Sequence, residues 1–148
     1  MRIPAPTKDT LTPEQKPVWD SIAGSGRSGV GGPFLPLLTS PEACSRVERL
    51  GAFLRFDCSV PMRLRELAIL VIGAHWKAEY EWFAHAPIAE KQGVPAAVIA
   101  AIGRGAAPPF DSEADATVHA FVRDVLTTGR ASDPAFAAVQ ALLGDKGA

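Results

Sequence analysis

Glu81 and His85 stand four residues apart in "HWKAEYEWFAH" (residues 75–85), where two histidines, two glutamates, two tryptophans, a tyrosine and a lysine share eleven positions. On a helix that turns by about 100° per residue, side chains four apart are neighbours. Glu79, Ala86 and Glu90 fall on one side of such a helix, which reads as its solvent face. Ala78, Trp82, Ile88 and Ala89 fall roughly opposite, and Glu81 and His85 lie among them. A carboxylate on an apolar stripe is costly unless partnered, and a Glu–His hydrogen bond would satisfy both groups with no further role. Glu66 adds a second carboxylate, one turn before Ile69 and Leu70 in the most apolar helical stretch of the chain. Its bland explanation is a salt bridge to Arg63 or Arg65. Two carboxylates and an imidazole converging in an apolar pocket suit general acid/base chemistry near neutral pH. Trp82 shares the stripe with His85 and is expected to line that pocket. Trp76, Tyr80 and Phe83 read as core, His75 as a capping or surface histidine, and His119 in "ATVHAF" as an ordinary one.

The elements that must position these groups are helices. Thr12, Pro13 and Gln15 form a capping box that opens "TPEQKPVWDSIAG". The glycine-rich "GSGRSGVGGPF" reads as a loop, too irregular for a phosphate-binding fingerprint. Ser40 and Pro41 open "PEACSRVERLGAFLRF". A long helical stretch from about Met62 to Gln92 follows, ended by Gly93. Gly73 and the bulky "HW" predict a break within it, with a second helix from about Lys77 to Gln92, and Pro87 should bend that helix. "PAAVIAAIGRG" is a short helix closed by glycine. Asp111 or Ser112 caps "EADATVHAFVRDVLTTG", and Asp133 with Pro134 opens "PAFAAVQALLG". Helices of these lengths with short loops predict an all-α bundle.

Length and composition narrow the function classes. A chain of 148 residues, 47% apolar, reads as a single domain spanning residues 1–148 that can bury a core without metals or disulfides. A formal net charge of -1 argues against nucleic acid or a membrane surface as partner. No run approaches the roughly 18 apolar residues of a membrane helix, and "MRIPAPTKDTLTPEQ" has no apolar stretch of the signal-peptide kind. A cytoplasmic protein is expected. Cys44 and Cys58 form no CxxC and have no metal-ligand spacing with the three histidines. Both are expected to be buried small apolar residues, and no metal or other cofactor is expected.

The stretch "LRELAILVIGAHWKAEYEWFAHAPIAEKQGV", with "GPFLPLLTSPEA" before it and "VIAAIGRGAAPPF" after it, resembles the carboxymuconolactone decarboxylase family, which includes the AhpD-like alkylhydroperoxidases. The resemblance extends over most of the chain. It implies an all-helical bundle of the AhpD-like type with a two-helix core, usually in a homo-oligomer, a trimer or a hexamer. The peroxidase branch carries a glutamate in the first core helix, then CxxC and a histidine in the second. Matching on Glu66 and His85 places Ala78 and Glu81 at the two cysteine positions. Neither is a thiol, and thiolate chemistry needs sulfur. Relatives with "EYEW" in the core continue into one more apolar helix where this sequence reads "ALLGDKGA". Either partner subunits then shield the core or the chain is a shortened form.

The resemblance therefore implies the cysteine-free, decarboxylase-like branch. The expected activity is that of a cofactor-independent lyase or isomerase of aromatic-compound catabolism, acting on a small anionic lactone or cyclic acid. In such a decarboxylation His85 would protonate the enolate-like carbon left by CO2. Glu81 would orient His85 and hold it protonated, and Glu66 would be the second acid/base group or a relay. Trp82 would wall the pocket, and Arg63, or Arg27 in the glycine-rich loop, could bind the substrate carboxylate. The rival expectations are AhpD-like peroxide reduction, disfavoured by the missing CxxC, and a non-catalytic, small-ligand-binding relic of the scaffold.

Overall fold

The structure, a computed structural model, describes residues 3–27 and 29–148. Met1, Arg2 and Ser28 lie outside the described residues, the first two in the N-terminal stretch and the third in the glycine-rich loop. Every regular element among the described residues is helical. The eight α-helices are α1 (Gln15–Gly24), α2 (Phe34–Leu37), α3 (Pro41–Ala52), α4 (Met62–His75), α5 (Glu79–Lys91), α6 (Ala96–Gly103), α7 (Glu113–Thr128) and α8 (Asp133–Leu143). None is long and apolar enough to cross a membrane. The chain divides into two compact units, Met1–Cys58 and Ser59–Ala148.

In the first unit the capping box forms as the sequence predicts. The Gln15 amide donates to Thr12 Oγ1 at 3.3 Å, and the Thr12 amide donates to Gln15 Oε1 at 2.9 Å. Ile22, Leu38 and Cys44 are fully buried, with Val18, Trp19, Phe34 and Leu37 packed around them. Burial, reinforced by the nearby Glu48 charge, pushes the Cys44 thiol pKa up, so it behaves as a small apolar side chain. Cys58 differs from its expectation. It is only half-buried, and its thiol donates to the Leu54 carbonyl at 3.0 Å. After Ala52 the helix widens into a π-helical stretch, Phe53–Asp57, which no residue pattern announced.

The second unit is built on α4 and α5. Leu67, Leu70, Val71, Ala89, Val94, Val98 and Ile102 form one buried cluster, with Trp82, Ala86, Phe110 and Val122 packed against it. Each fully buried Leu or Val contributes about 1.5–3 kcal/mol of transfer free energy. Ala86, expected on the solvent face, is drawn against this cluster, while Glu79 and Glu90 are exposed. The break between α4 and α5 falls at Trp76–Ala78, where Lys77 takes a φ of 52°. A lysine in the left-handed region is uncommon, and it turns the chain so that the Ala78 amide donates to the Gly73 carbonyl at 2.8 Å. Pro87 lies inside α5, as expected. Ser112 caps α7, accepting from the Asp115 amide at 3.3 Å.

Candidate active site

The two core helices approach closely at Gly73. A Cβ added there would meet Glu81 Cβ at 3.8 Å and the Trp82 backbone nitrogen at 3.9 Å, ordinary van der Waals distances. The turn before α5 thus packs directly on α4. Glu66, two turns earlier on the same side of α4, then reaches α5 at His85.

The contact is a short hydrogen bond, with His85 Nδ1 2.6 Å from Glu66 Oε2. The Glu66 side chain is 2% exposed and that of His85 12%. A carboxylate so buried is tolerable only with a partner, and Arg63 and Arg65, its bland alternatives, form no salt bridge with it among the described residues. With Nδ1 engaged by Glu66, Nε2 is the ring nitrogen turned away from the core. Glu81 Oε2 lies 3.5 Å from Nε2 on the other side of the ring, and its side chain is 42% exposed. The imidazole therefore sits between one carboxylate locked in the core and one that reaches solvent. The structure brings together all three groups expected to act as the acid/base set.

The other expected residues are placed differently. Arg63 Nη1 donates to Asp115 Oδ1 at 2.6 Å and its Nε to the Gly93 carbonyl at 3.1 Å. Asp115 is 1% exposed while the Arg63 side chain is only partly buried, so the pair ties α4 to α7 from a buried carboxylate to a half-buried guanidinium that is already engaged. Arg27 belongs to the Met1–Cys58 unit. Its guanidinium lies 5.0 Å from the Phe34 ring centroid and 5.8 Å from that of Phe56. Burial, and secondarily the Arg55 charge, lower its pKa. Trp82 packs so tightly on α6 that a Cβ at Gly103 would stand 2.8 Å from Trp82 Cζ2.

Trp82 also lines an open cleft of about 620 Å³, together with Ala78, Phe83, Lys77 and Arg104. Lys77 and Arg104 are cations that no local sequence pattern marks as functional. Lys77 stands at the predicted break, whereas Arg104 comes from a different element and left no local signal. A smaller cavity of about 210 Å³ is lined by His75, His119 and Arg123, among others. A third, of about 370 Å³, lies along Trp82, Pro87 and Ile99. None of these three cavities is lined by Glu66, Glu81 or His85.

Three aromatic residues expected in the core are on the surface. Trp76 is 69%, Tyr80 52% and Phe83 79% exposed, with Ile72 on α4 at 43%. The α5 stripe accounts for Tyr80 and Phe83, which fall away from the Ala78–Trp82–Ala89 side that meets the core. Among the described residues no cluster of three or more His, Cys, Asp or Glu side chains is placed to hold a metal ion. Comparisons with protein-family models, with curated proteins and with solved structures find no match for this chain.

Proposed function

We propose that the chain is a cofactor-independent lyase or isomerase of the carboxymuconolactone decarboxylase type, acting on a small carboxylated lactone or cyclic acid. The observation that carries this reading is the His85 imidazole held at Nδ1 by the buried Glu66 and flanked at Nε2 by the half-exposed Glu81. In the proposed step the bond to the carboxylate breaks, its electron pair passes into an enolate-like system, and CO2 leaves. The Nε2 proton of His85 is transferred to the carbon, forming the new C–H bond. Glu66 keeps the ring in one orientation and tautomer throughout. Glu81, with access to solvent, returns the proton to Nε2. Lys77 and Arg104 take the place of Arg63 as candidates for holding the substrate carboxylate.

The test is a panel of small carboxylated lactones and cyclic acids, followed by NMR for loss of CO2 or ring isomerisation. We expect turnover that falls by about 100-fold in His85→Ala and in Glu81→Gln while the fold survives. Full activity in His85→Ala would remove that residue from the chemistry. A second reading, a non-catalytic relic of the scaffold, is favoured by the position of the trio outside the three cavities, and it leaves every member of the panel unturned. Peroxide reduction through a cysteine pair has no support from Ala78 and Glu81.

The proposed assembly is a homo-oligomer, a trimer or a hexamer, in which a second copy covers Trp76, Tyr80 and Phe83. Exposed apolar surface of this kind is rarely left open, and closed homo-oligomers are the common remedy. Light scattering coupled to gel filtration is expected to give a multiple of the 15.6 kDa chain mass. A stable monomer at micromolar concentration contradicts it.

A further inference from the structure

The cavity of about 210 Å³ at the C-terminal end of α4 has a composition unlike that of the larger cleft. His75 contributes from the last turn of α4, His119 and Arg123 from successive turns of α7, and the segment that follows α6 closes the remaining side. His119 and Arg123 are four apart, so they point to the same side of their helix. Val71 and Ile102, both buried, supply an apolar floor, and Ala107 stands among the wall residues. No carboxylate is among the lining residues. Arg123, an exposed residue, is among the lining residues and forms no salt bridge among the described residues.

His119 is not the ordinary surface residue that its sequence context suggested. Its ring is half-buried and packs against Phe110, with centroids 5.1 Å apart. Burial, and then the neighbouring Arg123 charge, hold its pKa below the ordinary histidine value, so at neutral pH it presents an uncharged ring with one N–H to donate. The Trp76 ring contacts His75 edge-on, with centroids 5.0 Å apart. Each imidazole thus has an aromatic neighbour that is not among the cavity's lining residues.

We propose that this cavity is a binding site for a short-chain carboxylate, separate from the Glu66–His85–Glu81 site and independent of the reaction proposed there. Arg123 supplies the permanent charge and a planar fork that matches a carboxylate. His75 and His119 supply N–H donors, and Val71 and Ile102 take the hydrocarbon end. A cavity of about 210 Å³ suits a small acid of four or so carbons. An inorganic anion such as phosphate would leave the apolar floor uncovered. The polar rim and apolar floor select a ligand with both ends.

The experiment uses the full chain and its three histidines, whose imidazole proton resonances report each ring separately by NMR. Butyrate is the probe, phosphate is the charge-only control, and His85 is the internal reference. We expect His75 and His119 to shift saturably together, with a Kd on the order of 1 mM for so small a ligand, and His85 to stay in place. Arg123→Met is expected to weaken binding at least tenfold, and Arg123→Lys to retain part of it. Ala107→Phe, which fills the cavity without removing a charge, is expected to abolish the shifts while the unfolding temperature stays close to that of the parent. Absence of saturable shifts overturns the site. So does unchanged affinity in both Arg123→Met and Ala107→Phe. Phosphate binding as tightly as butyrate overturns the carboxylate assignment.

Discussion

The Ser59–Ala148 unit buries two carboxylates, and it treats them in opposite ways. Asp115, on α7, is matched by the guanidinium of Arg63 at 2.6 Å. Glu66, on α4, is matched at the same distance by the imidazole of His85. Both acids are almost fully removed from water, so both need a partner. Arginine stays charged throughout the accessible pH range, whereas histidine can lose its proton near neutrality. The Arg63–Asp115 pair has no proton to give and ties two helices together. The Glu66–His85 pair has one, and its far nitrogen faces a carboxylate open to solvent. Burial of the carboxylate is common to both pairs; what differs is that His85 turns a second ring nitrogen toward a carboxylate open to solvent.

The largest effect should come from breaking the structural pair. Arg63→Met leaves Asp115 buried without its countercharge and is expected to cost about 3–5 kcal/mol in denaturant unfolding. The double variant Arg63→Met with Asp115→Leu should recover most of that loss. An unaffected Arg63→Met would erase the contrast between the two acids. Next comes Glu66→Gln, which keeps the shape and a hydrogen bond to His85. Its stability change is expected to stay within about 1–2 kcal/mol, while turnover of any substrate found falls about 100-fold. If stability and turnover respond the other way round, the two carboxylates have exchanged roles.

The smallest effect concerns His119, a partly buried ring with no carboxylate partner given by any ion pair among the described residues. Its folded pKa lies below the ordinary value of 6.5, through burial first and Arg123 second. A depressed pKa means that the unfolded chain binds the proton more readily. The stability involved is fully present above about pH 6.5 and is lost as pH falls through the folded value. The melting temperature should therefore drop slightly on acidification below that point, and His119→Asn should flatten this part of the profile. An unchanged profile in the variant would assign the pH dependence to other groups.

Much of this architecture was legible in the residues themselves. The Thr12–Gln15 capping box, the Ser112 cap and the interruption after Gly73 are local signals, each written within a few positions. Glu66, Glu81 and His85 were legible because polar groups on an apolar stripe need an explanation. What escaped was non-local. Nothing near Arg63 in the sequence points to Asp115, which is 52 residues away. Helical angle alone puts Ala86 on the solvent side, yet the core cluster reaches it. Residue type puts Trp76, Tyr80 and Phe83 in the core, but it says nothing about which face of a helix meets its neighbour. His119 reads as ordinary in its local sequence because only α4 and the segment following α6 turn its surroundings into a cavity.

The proposed mechanism requires Glu66 to hold His85 through Nδ1 and to leave Nε2 as the working nitrogen. Nitrogen-15 NMR of the histidine side chains tests it most directly, because it distinguishes a protonated from an unprotonated ring nitrogen for each residue. The expected result is a His85 proton on Nδ1, hydrogen-bonded to Glu66, with Nε2 as the exchanging nitrogen and with Glu66→Gln disturbing the Nδ1 signal first. A neutral His85 protonated only at Nε2, with Nδ1 accepting from a protonated Glu66, would contradict it and leave the pair as a structural hydrogen bond.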